Sequence, residues 1–523
     1  MAISDTVPLS GERHPPAPTT ETLPLSRSQT TFLWWVLIAL FAARMLAMIL
    51  VPVTDTTEAR YAEIARKMLE TGDWITPQFE YGVPFWGKPP LHTWLSAAGM
   101  GAFGVNEFAA RLPIFALACA LLALVYYWAR AEKGNGFALV GTTILASSGM
   151  FFIASGVVMT DLAMIAGTTL SMVGFWRTVN QRPHQALWGY LFFVGLAIGL
   201  LTKGPLAVLL AGVPIGLWVI LGNRWRDTWQ RIPWVTGTVL MLVLTAPWYI
   251  AAELKTPGFL RYFIIGEHFE RFTVPGWKGD LYGSGHREPK GMIWLFGLLA
   301  FLPWTFGFLR PVMRLRQVAE RFRNDGSGWG SYLLLWTLSP FLIFTAAGNI
   351  IIPYALPALP AAAFLLVQSW TDAHDQGAAI TKRSALIFKS LSVGVIVVMT
   401  VFSAVYAAAP GLISKKSQNL LVAEATSQAP YNVGELIYWK KRYYSAEFYT
   451  QGTSKRINTL DALSAYLSDN RRDFLVIRPA ALKALSDEMR DRFALIGPFG
   501  KDLLLLEKPI EPSLTSPAKG PDT

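Results

Sequence analysis

Long apolar runs constrain the fold of this chain more than any other feature. Each is close to the ~20 residues that an α-helix needs to cross the hydrocarbon core of a bilayer. The composition agrees, because 52% of the residues are hydrophobic and only 15% are charged. We therefore predict an α-helical polytopic membrane protein with about 11 transmembrane helices, at roughly 32–53, 112–129, 136–154, 160–176, 186–201, 205–222, 233–251, 291–309, 330–347, 351–370 and 385–409.

Lysine and arginine are unevenly distributed between the connections. If the N-terminus is cytoplasmic, the outside connections near 155–160 and 348–353 contain neither residue. The inside connections contain Arg130, Lys133, Arg177, Arg182, Arg224, Arg226, Arg231, Arg310, Arg314, Arg316, Arg321, Arg323, Lys382 and Arg383. This positive-inside pattern predicts a cytoplasmic N-terminus and a C-terminus outside the membrane. Topology then explains most of the net charge of +11, and no basic stripe interleaved with aromatic residues indicates nucleic-acid binding.

The chain divides by composition into four parts. Residues 1–31 are rich in proline, serine and threonine and predict a disordered cytoplasmic tail. Residues 32–410 form the predicted transmembrane domain, and 510–523 a flexible tail. Residues 411–509 predict a small extracytoplasmic α/β domain, with strands in IYW, SKRINT, DFLVIRP and LLLLEKP and helices in LDALSAYLSDN and PAALKALSDEMRDRF.

Two outside loops, 54–111 and 252–290, are too long to be simple connections, so we expect function there. In the first, apolar residues at helical spacing predict a helix that lies on the membrane surface, with Gly72 at its end and Trp74 at the interface. These apolar residues are Tyr61, Ile64, Ala65 and Met68.

Each charged residue at the outside end of a span can be interpreted as structural or as functional. Asp55 and Glu58 have the spacing of a capping box, and Asp161 could equally cap its span. Carboxylates near lipid are costly unless they have partners or a function, so Asp55 and Asp161 also suggest a shared cavity. Lys88 and Lys203 either snorkel to the interface or bind a substrate.

Arg44 and Cys119 both fall inside apolar runs. For Arg44, in mid-span, we predict a buried structural ion pair. Cys119 is the single cysteine, which excludes an internal disulfide and a multi-cysteine metal site.

Several ordered motifs between about residues 32 and 410 resemble those of a known family. They are DTTEARYAEIARKMLETGDW, KPPLHTWLSA, FGVNEFAARLP, MTDLAM, LTKGP, GEHFERF, GHREP and IPYALPALP. The chain thereby resembles the bacterial family that includes the aminoarabinose lipid A transferase and the protein O-mannosyltransferase relatives. These are GT-C glycosyltransferases, which use polyprenyl-phosphate sugars.

The resemblance implies roles for particular residues. Asp55, Glu58 and Arg60 fall in the first catalytic motif, and Asp161 falls in the second. Substrate-binding positions are Lys88 at the donor phosphate, Lys203, His268 and Tyr354. We take Asp55, Glu58 and Asp161 as the catalytic candidates and the others, with Arg60, as substrate-binding.

Three positions depart from the family pattern. Thr57 stands where relatives often have the aspartate of the first motif, and Gly87 where they have an acidic residue before the lysine. Asn349 replaces a lysine near Tyr354. The family leaves a divalent metal open, but Gly87 removes one ligand, and His268 and His286 are not enough to assign a metal site.

The chemistry of such a transfer agrees with these residue types. Displacing a polyprenyl phosphate from a sugar needs cations at the phosphate and a carboxylate near the sugar or acceptor. We expect transfer to an envelope glycolipid such as lipid A, on the periplasmic side of the inner membrane, with inversion. Transfer to protein or polysaccharide is the alternative, and a lipid or polysaccharide transporter without chemistry is a third reading.

Overall fold

The structure, a computed structural model, describes most of the chain. It covers residues 22–271, 277–283, 286–309, 320, 327–375, 389, 392–397, 399–401, 403–404, 415–428, 433–469 and 471–509. The basic loop at 310–319, the boundary predicted near 410, residues 1–21 and the tail 510–523 lie outside the described residues. So does most of the predicted span 385–409.

Helices dominate the first three quarters of the chain. They are α1 (Arg27–Leu50), α2 (Thr57–Thr71), α3 (Leu91–Phe103), α4 (Glu107–Lys133), α5 (Asn135–Ser147), α6 (Gly149–Ala154), α7 (Thr160–Val179), α8 (Gln185–Lys203), α9 (Pro205–Leu221), α10 (Trp225–Arg231), α11 (Trp234–Lys255), a π-helical segment (Arg261–Glu270), α12 (Met292–Ala300), a 3₁₀ segment (Trp304–Phe308), α13 (Trp329–Phe344), a 3₁₀ segment (Ile352–Ala358) and α14 (Leu359–Asp375). A short hairpin of β1 (Gln78–Glu80) and β2 (Val83–Pro84) lies between α2 and α3.

Six helical segments in the described part are long and apolar enough to cross a membrane. They are Arg27–Leu50, Glu107–Lys133, Thr160–Val179, Gln185–Lys203, Trp234–Lys255 and Ile352–Thr371. Shorter apolar helices accompany them, such as Asn135–Ser147, Pro205–Leu221 and Trp329–Phe344. A helical membrane fold is therefore confirmed, while a total of about 11 spans stays a prediction.

Some predicted spans are interrupted or shifted. The run 136–154 changes from α5 to α6 at Ser148, and the run 291–309 breaks before Pro303, which lacks the N–H that a continuing helix needs. Helix α1 begins at Arg27, earlier than the predicted 32, because the side chains of Ser26 and Gln29 form a capping box with each other's backbone N–H.

The helix connections gather at two ends. At the first, Arg182 pairs with Glu132 at 2.6 Å, and Trp218 donates to the Gly328 carbonyl at 2.9 Å. At the second, which we call the loop end, the 54–106 segment meets the start of α7 and the end of α8. Helices α4 and α7 run between the two ends, so the two sets of loops lie on opposite sides of the helix layer.

A five-stranded mixed sheet forms from the last part of the described chain. Its strands are β3 (Val433–Trp439), β4 (Lys455–Ile457), β5 (Arg472–Ile477), β6 (Phe493–Phe499) and β7 (Asp502–Glu507), in the order β4-β3-β5-β7-β6. β3 is parallel to β4 and β5, whereas β7 is antiparallel to β5 and β6. Helices cover it: α15 (Asn419–Ser427), α16 (Tyr444–Tyr449), α17 (Leu460–Tyr466), α18 (Pro479–Lys483) and α19 (Asp487–Asp491). We call this the sheet unit.

Glycines let α7 and α8 pack backbone to backbone. A Cβ added at Gly167 would lie 2.7 Å from the carbonyl oxygen of Gly195 and 2.9 Å from the backbone nitrogen of Gly199. These contacts are with backbone atoms, which cannot move aside as a flexible side chain can. Small residues at such contacts bring membrane helices close together, and this contact holds Asp161 and Lys203 near each other.

We predict that Gly167→Ala destabilises the fold by about 1–3 kcal/mol, because the added methyl group must separate α7 from α8. Gly212→Ala is the matched control, since a Cβ at that helical glycine meets nothing within 4 Å. Thermal unfolding in detergent measures both variants. Equal midpoints for the two would contradict the packing described for α7 and α8.

Candidate active site

Lys88 is one of three polar residues around the carboxylate of Glu267 at the loop end. Lys88 Nζ lies 3.0 Å from Glu267 Oε2, and Arg271 Nη1 lies 2.9 Å from both oxygens of Glu267. The Tyr262 hydroxyl donates to Glu267 Oε1 at 3.2 Å. We call Lys88, Tyr262, Glu267 and Arg271 the Glu267 cluster. The snorkelling reading of Lys88 is wrong, because its ammonium group is paired inside the protein.

The charge state of this cluster follows from its environment. Burial raises the pKa of the Glu267 carboxyl, but the attraction of Lys88 and Arg271 outweighs burial and leaves this pKa below its ordinary value. Glu267 is therefore ionised at neutral pH, and Arg271 also pairs with a second carboxylate, since its Nη2 lies 3.5 Å from Asp280 Oδ2. Two cations thus face two carboxylates, and an entering anion would compete with Glu267 and Asp280 for Lys88 and Arg271.

Lys88 is held between a hydrogen-bonded segment before it and two prolines after it. The Trp86 backbone N–H donates to the Tyr282 hydroxyl at 2.9 Å, and that hydroxyl donates to the Pro84 carbonyl at 2.9 Å. Pro89 and Pro90 follow Lys88 and restrict the backbone up to the start of α3. The ammonium group of Lys88 is thus presented from a stiff segment, and its side chain is 20% exposed.

A second ion pair lies deeper, between α7 and α8. Lys203 Nζ is 2.6 Å from Asp161 Oδ1, and both side chains are 6% exposed. The ammonium group also lies 4.7 Å from the centre of the Tyr354 ring, a cation–π contact. The snorkelling reading of Lys203 is wrong, because its ammonium group is buried and paired with Asp161. So is the capping reading of Asp161, because Met159 is the N-cap of α7 and no side chain caps the helix.

His268 links the two charged groups. Its Nδ1 lies 2.7 Å from the Phe263 carbonyl oxygen, and its Nε2 lies 3.0 Å from the Lys203 carbonyl oxygen. Burial lowers the pKa of the imidazole, and the two carbonyls offset part of this change. Both ring nitrogens face backbone oxygens, so here His268 joins the segment that carries Glu267 to the end of α8.

Glu58 forms a buried, bidentate ion pair with Arg111. The Arg111 Nε–Glu58 Oε1 distance is 2.7 Å, and the Nη2–Oε2 distance is 2.9 Å. Arg111 also donates to three carbonyls that follow or end α1, those of Met48, Val51 and Pro52. The pair ties the end of α1 to α2 and α4.

Asp55 is bound to the sheet unit. Its Oδ1 accepts hydrogen bonds from the backbone N–H of Tyr444 at 2.8 Å and of Ser445 at 3.3 Å, and its Oδ2 accepts one from the Ser445 hydroxyl. Burial raises the pKa of the Asp55 carboxyl, although these hydrogen bonds oppose the change. The carboxylate therefore holds the start of α16 and not of its own helix. The capping-box reading is wrong, because Thr56 is the N-cap of α2 and no side chain caps that helix.

Helix α2 is buried between protein elements, whereas we predicted a helix lying on the membrane surface. Arg66 pairs with Glu63 at 2.7 Å, and Lys67 pairs with Glu447 of α16 at 2.9 Å. Because its charged face meets the sheet unit, both faces of the helix are covered. Gly72 ends α2 in a left-handed conformation, as predicted.

Arg60 and Arg44 contact backbone carbonyls. Arg60 Nη1 donates to the Tyr282 carbonyl at 3.0 Å, between the two outside loops. Arg44 Nη2 donates to the Ile153 carbonyl at 2.8 Å, and its guanidinium lies 5.7 Å from the centre of the Phe152 ring. For the described residues, no carboxylate pairs with Arg44, so the predicted ion pair is wrong.

The described residues contain no group of three or more His, Cys, Asp and Glu side chains that could hold a metal ion. The backbone N–H of His286 donates a hydrogen bond to Asn349 Oδ1 at 2.9 Å. The geometry of the described residues therefore assigns no metal ligands.

We predict that Asp55→Ala loosens α16, because the Tyr444 and Ser445 N–H groups lose their acceptor. Hydrogen exchange at these two amides should become about fivefold faster, the size expected for removing a helix cap. Thr56→Ala is the control, since the Thr56 side chain makes no cap hydrogen bond. Unchanged exchange in Asp55→Ala would contradict the assignment.

By sequence, known proteins match part of this chain. The family model described as dolichyl-phosphate-mannose-protein mannosyltransferase matches residues 28–263. An undecaprenyl phosphate-alpha-4-amino-4-deoxy-L-arabinose arabinosyl transferase from Erwinia tasmaniensis is 31% identical over 350 residues, which cover 66% of this chain and 60% of the relative. The protein of the same description from Edwardsiella ictaluri is 31% identical over 314 residues, which cover 59% of this chain and 54% of the relative. The matches thus span less than two thirds of these relatives.

The fold is similar to a solved structure over nearly its full length. The crystal structure of ArnT from Cupriavidus metallidurans bound to undecaprenyl phosphate matches with a TM-score of 0.72 at 18% identity. The match covers 91% of this chain and 97% of that one. The resemblance is therefore confirmed: the chain is similar in sequence to the aminoarabinose arabinosyl transferases and shares the fold of the ArnT crystal structure.

Proposed function

We propose that this protein is a membrane glycosyltransferase that moves a sugar from a polyprenyl-phosphate carrier to an envelope glycolipid such as lipid A. The observation that carries the proposal is the arrangement of Lys88, Arg271 and Lys203 around Glu267 and Asp161 at the loop end. These residues are distant in sequence. Their side chains supply positive groups suited to a phosphate and a buried carboxylate suited to an acceptor.

The Glu267 cluster is the proposed site of the donor phosphate. Lys88 and Arg271 neutralise Glu267 in the structure, and a phosphate would attract the same two cations. Phosphate is a strong acceptor for lysine and arginine, and its charge grows as the bond to the sugar breaks. These cations would therefore bind the leaving group more strongly in the transition state than in the ground state.

Asp161 is the proposed carboxylate at the acceptor. An acceptor oxygen would attack the anomeric carbon while the bond from that carbon to the phosphate oxygen breaks, and the electron pair would leave with the carrier phosphate. Asp161 would take the proton of an acceptor hydroxyl, or orient an acceptor that is already ionised. Direct displacement inverts the anomeric centre. Lys203, whose ammonium group lies against the Tyr354 ring, would hold Asp161, and Arg60 would line the approach.

Asp55 and Glu58 take supporting roles in this proposal. Their carboxylates bind Ser445 and Arg111, so we infer that they position the first outside loop around the site. The predicted catalytic roles of both residues would require these contacts to open during turnover.

The names of similar proteins support the choice of carrier. The ArnT crystal structure contains undecaprenyl phosphate, and the curated relatives are named for transfer from an undecaprenyl-phosphate aminosugar. The matching family model is described by a protein acceptor, so transfer to protein is the second candidate. We propose a bacterial inner-membrane location, about 11 spans, a cytoplasmic N-terminus, and a periplasmic loop end and sheet unit.

The function is tested with the purified protein in nanodiscs and a labelled undecaprenyl-phosphate aminoarabinose donor. We expect label to move to lipid A and undecaprenyl phosphate to be released. Transfer to a serine- and threonine-rich peptide instead would favour the second candidate. Donor that remains chemically intact with every acceptor would contradict a transferase.

We predict that Lys88→Ala weakens donor binding and turnover at least tenfold and that added acceptor does not restore turnover. Lys88→Arg should retain a fraction of both, because it keeps the charge but changes the shape. Lys290→Ala is the control, since this lysine is exposed in the same outside loop region. Wild-type donor binding in Lys88→Ala would end the assignment.

The Asp161–Lys203 pair allows a test that separates stability from chemistry. Asp161→Asn leaves Lys203 buried without its counter-ion, which should cost about 3 kcal/mol of stability. We predict that Asp161→Asn/Lys203→Met recovers most of the thermal stability but not the turnover. A double variant with wild-type turnover would show that the pair serves only the fold.

A further inference from the structure

Cations collect at one end of the sheet in the sheet unit. Lys441 follows β3, Arg478 follows β5, and Lys501 directly precedes the antiparallel β7, so the topology brings all three to the same sheet end. Lys415 joins them, because a Cβ at Gly500 would lie 3.6 Å from the Lys415 carbonyl oxygen. These residues and the adjacent Lys416 form a surface that we call the basic patch: Lys415, Lys416, Lys441, Arg478 and Lys501.

One buried carboxylate, Asp502, lies among these cations. The Tyr443 hydroxyl lies 2.5 Å from Asp502 Oδ2, Lys441 Nζ lies 2.6 Å from the same hydroxyl, and Arg478 Nε lies 3.8 Å from Asp502 Oδ1. Burial and the repulsion of Arg478 lower the pKa of Lys441, although the attraction of two carboxylates, Asp502 and Asp55, opposes the change. The five cations of the patch thus outnumber the two nearby carboxylates, Asp502 and Asp55. Lys415, Lys416 and Lys501 are exposed.

The patch lies beside the first outside loop. The Asp55 backbone N–H donates to the Lys416 carbonyl at 2.8 Å, and the Asp55 carboxylate holds α16, which follows Lys441 closely. Asp55 comes five residues after Leu50, the last residue of α1. The patch is therefore close to the membrane surface and on the same side as the Glu267 cluster.

Topology does not account for these cations. The positive-inside rule places lysine and arginine on the cytoplasmic side, whereas the proposed orientation puts the patch outside. Exposed cations beside a membrane attract anionic headgroups, and ligands of open α/β sheets commonly bind at the carboxyl ends of parallel strands. β3 and β5 end at the patch in this way.

We propose that the basic patch binds the phosphate groups of the acceptor glycolipid and guides its headgroup toward Asp161. This inference rests on the proposed function, because it assigns an acceptor that carries phosphate. The donor phosphate has its own cations, Lys88 and Arg271, on the two outside loops. The acceptor approaches from the outer side of the membrane, where Lys415 and Lys501 are exposed.

The test is a binding measurement that does not depend on turnover. Bisphosphorylated lipid A is titrated into the full-length protein in zwitterionic nanodiscs, for wild type, Lys415→Gln/Lys501→Gln and a charge-matched control, Arg471→Gln/Lys508→Gln. The control residues are exposed and lie at the opposite ends of β5 and β7. We expect about tenfold weaker binding in the patch variant only, with the difference shrinking at high salt.

Other outcomes would overturn the inference. Equal lipid A binding by wild type and the patch variant would show that the basic patch does not bind the acceptor. Equal weakening in the patch variant and the control variant would show that binding depends only on net charge. Equally tight binding of phosphatidylglycerol would assign the patch to ordinary anionic lipids and not to the acceptor. A wild-type protein that binds lipid A through the patch but leaves the donor intact would contradict the proposed function and leave the patch standing.

Discussion

A charged side chain among apolar helices is stable only when a partner compensates its charge, and this requirement organises the loop end. Desolvating an unpaired ion costs several kcal/mol, so each buried charge needs a nearby opposite charge or oriented dipoles. Asp161 meets Lys203 at 2.6 Å, Glu58 meets Arg111 at 2.7 Å, and Glu267 meets two cations. These contacts join helices and loops that are far apart in sequence.

The same contacts bear on function. In the proposed mechanism a donor phosphate shares the cations that now neutralise Glu267, so the carrier phosphate enters a site where its charge is compensated. His268 couples this exchange to α8 through the Lys203 carbonyl. The sheet unit takes part because Asp55 and Lys67 of the first loop are both bound to α16.

Sequence patterns predicted what depends on local residues. The apolar runs predicted the helices, and Gly72 predicted the end of α2. Both predictions succeed because helical propensity and backbone freedom depend only on residues a few positions apart. The strand β6 was missed, since FALIGPF contains both glycine and proline and was joined in part to the preceding helix. Interruption of the predicted spans near Ser148 and Pro303 was missed because hydrophobicity does not reveal a break.

Partners distant in sequence could not be predicted in this way. Asp55 and Tyr444 are 389 positions apart, and the spacing of Asp55 to Glu58 favoured a local cap. Glu267 and Arg271 both lie in the motif GEHFERF, but the sequence does not mark them as site residues, because a glutamate and an arginine four residues apart on a helix usually pair on the surface. Their meeting with Lys88 depends on how the two outside loops pack.

The central claim is that the cations around Glu267 receive the carrier phosphate. An experimental structure of the protein with undecaprenyl phosphate in nanodiscs tests it most directly. The account predicts the phosphate within hydrogen-bonding distance of Lys88 and Arg271, with the Asp161–Lys203 pair beside it. A phosphate bound away from both cations, with the Lys88–Glu267 pair intact, would contradict the account.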